Sequence, residues 1–161
     1  MNRHDCWRQC FEGIADQPSD FNVGHRLLDF WMTYGLTSGE CSIGHGFKND
    51  IAVFADALRR HLPPYQGPDM TLYRGQLEIR HLAGIYGIAW TSKLETAKRF
   101  ATYHSAGEGP AVVLHVQAEA LRIIALPGRH SRETMDEHEY IIDPRGIQPQ
   151  VIQTIQDYTR K

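Results

Sequence analysis

The chain has 161 residues, 42% of them apolar, which suits one globular domain with a two-layer core and little besides. Lys and Arg total 17 and Asp and Glu 19, a formal net charge of −2, so no overall basic field draws the protein to nucleic acid or anionic lipid. Three cysteines are odd in number and form no dense disulfide framework, the start Met1-Asn2-Arg3-His4-Asp5 lacks the basic-then-apolar pattern of a secretory signal, and no apolar run approaches a membrane span; a cytoplasmic protein without a membrane partner is expected.

Along the chain, Cys6 and Cys10 come first, four apart as on one helix face, and read as small buried apolar side chains. His4, Cys41 and His45 would be the further ligands of a metal site, but no paired zinc spacing is present and no metal is expected. From Asn22, apolar Val23, Leu27, Phe30, Trp31 and Tyr34 recur at helical spacing, with Gly35 able to close the helix. A second helix is expected after a glycine-rich connector: Asn49 or Asp50 can cap it, Ile51, Phe54, Ala55, Leu58 and Leu62 share one face, and Pro63-Pro64 stops it.

Beyond Gly67-Pro68 the pattern turns to short extended runs, at residues 70–74, 85–90, 111–116, 121–126, 137–142 and 151–155. One helix interrupts them at about 94–103, with Leu94, Ala97, Phe100 and Ala101 on a single face. Helices first and strands later is an α+β order, with a helical part at 1–66 and a strand-rich part at 67–161. Two glycine-containing stretches, 105–110 and 127–136, read as loops.

Three pieces of this second part carry chemistry. Arg74, in Leu72-Tyr73-Arg74-Gly75, offers a guanidinium fork that matches a diphosphate in shape and charge, and Gly75 permits close approach of backbone to a ligand. Trp90-Thr91-Ser92 offers a hydroxyl pair just before a helix, where Ser92 with Glu95 also spells a capping box. Glu137 and Glu139 alternate with His138 on an extended run, which points both carboxylates one way, roughly 6 to 7 Å apart. Paired carboxylates can divide labour at an anomeric carbon, one stabilising a ribosyl cation and the other handling the incoming nucleophile. Nine histidines are present, yet His104, His115, His130 and His138 have neither metal-site nor nucleophile-base spacing.

Taken in order, these pieces resemble the mono-ADP-ribosyltransferases of the Arg-Ser-Glu group, found among bacterial toxin-type and phage-encoded enzymes; the likeness spans roughly residues 70–142. The resemblance implies N-terminal helices packed on a split, mainly antiparallel β-structure that encloses an NAD cleft. It implies NAD as substrate, no metal, and a macromolecular acceptor, with protein arginine slightly ahead of a nucleic acid base because two Glu stand where other members have Gln-x-Glu. By that resemblance Glu139 stabilises the ribosyl cation, Glu137 orients the acceptor, Arg74 holds the diphosphate, Gly75 lies against the nicotinamide amide, and Phe100 has the position of an aromatic against nicotinamide. Trp90, Thr91 and Ser92 stand where the family reads Ser-Thr-Ser, so the leading serine is absent and Thr91 or Ser92 would brace the cleft. Residues 127–136 fall where the family has the loop that selects the acceptor. An NAD glycohydrolase with the same cleft, or a catalytically silent module that binds NAD or a partner, uses the same residues; a toxin, phage or defence role would bring in an antitoxin or inhibitor protein.

Overall fold

A computed structural model describes residues 3–31, 51–126 and 138–156. Gly35, Cys41, His45, Asn49, Asp50, the 127–136 stretch and Glu137, each singled out above, lie outside the described residues. The chain forms two compact units, Met1–Tyr65 and Gln66–Lys161, divided one residue from the change of sequence pattern. No helix among the described residues is long and apolar enough to cross a membrane.

The first unit contains α1 (Arg3–Ala15), α2 (Phe21–Phe30) and α3 (Ile51–His61). Phe54 of α3 lies at its centre, edge-on to Phe11 of α1 at 5.0 Å and stacked on Trp31 at 5.9 Å between ring centroids, an arrangement that adds to the burial of all three rings. Asp20 caps α2, its carboxylate accepting from the Asn22 amide at 2.8 Å. The buried His61 ring ties the helix ends together: Nδ1 accepts from the Asp20 amide at 3.0 Å, so Nε2 carries the proton and donates to the Ile14 carbonyl at 2.8 Å. Cys10 is exposed, contrary to the sequence expectation, because α1 turns the adjacent Phe11 inward instead.

Among the described residues the second unit holds an open, wholly antiparallel sheet of six strands in the order β4-β5-β2-β1-β3-β6. The strands are β1 (Met70–Leu77), β2 (Ala89–Thr91), β3 (Ala111–Ala118), β4 (Ile123–Ala125), β5 (Glu139–Ile142) and β6 (Gln150–Ile155), with α4 (Glu78–Leu82) after β1 and α5 (Leu94–Glu108) after β2. β1 and β3 pair along their whole length, from Met70 opposite Ala118 to Leu77 opposite Ala111. Leu72, Val112 and Leu114 are fully buried on one face, while Val113, Ala111 and Tyr73 on the other face pack under Ala97 and Ala101 of α5. That makes the protein α+β, as its sequence order predicts. In place of two split halves there is one sheet, whose strand triads β4-β5-β2 and β1-β3-β6 share a single register pair, Tyr73 opposite Thr91.

Two boundaries differ from the sequence expectation for identifiable reasons. α5 continues through Ser105 and Gly107 to Glu108, with the Ser105 and Thr102 hydroxyls donating to carbonyls of their own helix, and Gly109 at φ +115° then ends it. The extended run expected from residue 85 begins only at Ala89. Gly84 at φ +66° closes α4, and the Tyr86 hydroxyl meets His81 Nδ1 at 3.0 Å, so residues 83–88 form a connection instead of a strand.

Candidate functional site

Strand order brings together what the sequence holds apart. β1, β2 and β5 are neighbours, and one register row runs Tyr73–Thr91–Glu139 across them. Residues directly opposite in antiparallel strands share a face with Cβ atoms about 4.5–5.5 Å apart, so the side chains of Thr91 and Glu139 leave the same face as neighbours. Both are almost fully enclosed, at 5% and 6% exposure.

Arg74, next to Tyr73 on β1, sits where the ladder between β1 and β2 ends. Its Nη1 donates to the Ala89 carbonyl of β2, and its Nε donates to Gln76 Oε1 at 3.0 Å. Gly87 supplies the room, since a Cβ there would lie 2.8 Å from Nη2. Burial pushes the Arg74 pKa down to about 10, the nearby Arg80 cation adds to that, and the Glu139 carboxylate pulls the other way. Arg74 and Glu139 are therefore within electrostatic reach of each other, and the guanidinium stays charged at neutral pH in surroundings that disfavour its charge.

His104 of α5 belongs to the same electrostatic group. Its pKa is lowered chiefly by burial and also by Arg74 and Arg80, against the raising effect of Glu108, whose carboxylate lies 3.4 Å from Nδ1. Two guanidinium groups therefore share this region with the Glu139 and Glu108 carboxylates, while the His104 imidazole is held toward its neutral form.

The remaining sequence-selected residues have these places. Trp90 is 1% exposed and its indole N–H donates to the Gly87 carbonyl at 3.0 Å, which holds β2 to the connection that makes room for Arg74. Gly75 lies beneath α5; the close approach it permits is of helix backbone to strand backbone, with Ala97 O 2.1 Å from where a Cβ would stand. Phe100, on α5, is half-buried with the Arg99 guanidinium 5.9 Å from its ring centroid. Ser92 is half-buried, and the capping box with Glu95 does not form: Lys93 is the N-cap, the Thr91 hydroxyl takes the Lys93 amide at 3.1 Å, and Glu95 pairs with Lys98 at 2.7 Å. β5 starts at Glu139, and His138 has φ +42°, so strand alternation does not extend back through His138.

Sequence reading passed over Gln76, Arg80 and Gly87, and gave His104 no role. Gln76 had a signal, being two residues from Arg74 on an extended run and hence on its face; the others reach the site through α4, the 83–88 connection and α5, which no local pattern links to Arg74.

Chemically, the arrangement offers a pinned cation with N–H groups to spare beyond the two spent on Ala89 and Gln76 and, within its electrostatic reach, an enclosed carboxylate that leaves its strand on the face opposite to Arg74, next to a threonine. That set can hold a phosphate-bearing ligand and stabilise positive charge developing near it. No protein-family model, no curated protein and no solved structure matches the chain.

Proposed function

We propose that the protein is a mono-ADP-ribosyltransferase that cleaves NAD and passes ADP-ribose to a macromolecular acceptor. The observation that carries this reading is the convergence of Arg74, Thr91 and Glu139, from three separate stretches of sequence, on three adjacent strands, with Glu139 opposite Thr91 and acting on the charge of Arg74. Arg74 holds the diphosphate through its remaining N–H groups. Glu139 stabilises the oxocarbenium character that the ribose acquires as the bond from C1′ to the nicotinamide nitrogen breaks, the electron pair leaving with nicotinamide. Thr91 or Ser92 braces the cleft, and Phe100 is assigned to the nicotinamide ring. The acceptor nucleophile then bonds to C1′ and gives up its proton, the step assigned to Glu137. Protein arginine leads slightly over a nucleic acid base as the acceptor.

The test is release of nicotinamide from NAD by the purified protein and by Glu139→Gln. Loss of a preorganised electrostatic stabiliser costs about 10²–10³-fold in rate, and that loss is expected here. Equal release by both proteins, or none by either, removes the mechanism. Labelled NAD then separates the acceptors: label on protein or RNA marks a transferase, and free ADP-ribose alone marks a glycohydrolase.

A further inference from the structure

We infer that Gln76 is a positioning residue that fixes the Arg74 guanidinium while leaving its charge available, and so sets the affinity of the site for a diphosphate. The inference takes its ligand from the reading above. Gln76 is 1% exposed in the middle of the unit and faces the same side of β1 as Arg74. Its amide is oriented by chemistry alone: Oε1 accepts from Arg74 Nε at 3.0 Å, which can only donate, and Nε2 donates to the Ile85 carbonyl at 3.3 Å, which can only accept. The guanidinium is thus held by Gln76 on one side and the Ala89 carbonyl on the other, with Gly87 pressed against Nη2.

Both of those acceptors are neutral. A buried arginine is ordinarily matched by a carboxylate in a bidentate pair, which satisfies the charge and occupies the fork. Here an amide supplies the same hydrogen bond without the charge, and burial together with Arg80 leaves the cation undercompensated, Glu139 being the counter-charge that acts on it. A glutamate at this position would keep the reach and the acceptor, convert the contact into an ion pair and compete with an incoming anion. Gln76 also links Arg74 to residue 85, so the same amide holds the 83–88 connection that carries Gly87.

The experiment compares the full chain with Gln76→Glu and Gln76→Met, measuring inorganic pyrophosphate binding by calorimetry, thermal unfolding, and steady-state cleavage of NAD and of nicotinamide riboside, which has no diphosphate. Gln76→Glu is expected to weaken pyrophosphate at least about tenfold and to raise KM for NAD by a similar factor, with kcat changed less than about threefold and riboside cleavage unaffected, the signature of lost ground-state binding. Unchanged pyrophosphate affinity in a folded variant, or a penalty that falls equally on the riboside, overturns the assignment and leaves the NAD reading standing. Where Gln76→Glu does not fold, Gln76→Met decides: weaker pyrophosphate binding at an unchanged melting temperature supports the role, and equal binding overturns it. Pyrophosphate binding that depends on Gln76 in a protein without NAD cleavage supports the positioning role while the proposed reaction fails. An unsubstituted protein that binds no pyrophosphate overturns it.

Discussion

Replacing Gly75 by alanine tests how the second unit is held together. The new methyl carbon would stand 2.1 Å from the Ala97 carbonyl oxygen and 2.4 Å from the Ala101 amide nitrogen, about 1.3 Å short of the 3.4 Å at which ordinary contact begins. Gly75 is not among the glycines with positive φ, so the glycine is required for space and not for conformation. Overpacking costs typically about 1–3 kcal/mol, and both obstacles are backbone atoms with no rotamer to turn away, which argues for the upper end. For a chain of 161 residues, about 3 kcal/mol lowers Tm by roughly 6–12 °C. Thermal unfolding followed by circular dichroism measures it. A second substitution, Ala97→Gly, should bring no relief, because it is the carbonyl oxygen and not the Ala97 methyl that obstructs. A Gly75→Ala protein melting within about 2 °C of the parent, against that expected drop, or rescue by Ala97→Gly, would refute the packing argument.

Thr91→Val keeps the side-chain shape and removes the oxygen that accepts the Lys93 amide at 3.1 Å; denaturant unfolding should show a loss of about 1 kcal/mol, largely regained by Thr91→Ser, and equal stability of all three would contradict the role of that turn. His104 makes stability depend on acid. Its pKa in the folded chain is lowered from 6.5, first by burial, so the folded protein binds fewer protons than the unfolded one; the stability it contributes is complete above 6.5 and is lost as pH falls below it. His104→Gln should flatten the fall in denaturation midpoint below pH 6.5, and an unaltered pH profile would show that the group lies elsewhere.

Much of the fold can be read from local pattern. β1, β3 and β6 start within a residue of their expected positions, and α3 stops ahead of Pro63-Pro64, because apolar periodicity and proline act over a few residues. α4 escapes such reading since its apolar residues, Ile79 and Leu82, face solvent at 71% and 77% exposure. The helical end of α5 escapes because the glycine at 107 looks like a stop. In the candidate site, Arg74, Thr91 and Glu139 are visible as residue types, but their meeting depends on β5 inserting beside β2, a non-local pairing that periodicity does not encode. Gln76 looks like an ordinary polar residue of a strand until β3 pairs with it on one side and the 83–88 connection meets its amide.

Because the two halves of the sheet share one register pair, the bond from Arg74 to Ala89 acts as a stitch across the seam between them. Removing the arginine would unpick that stitch as well as discard a positive charge, so an inert Arg74→Ala protein reports a loosened scaffold and an emptied seat at once. The sharper probes are its neighbours, Gln76 and Glu139, where charge can be changed while the seam stays sewn.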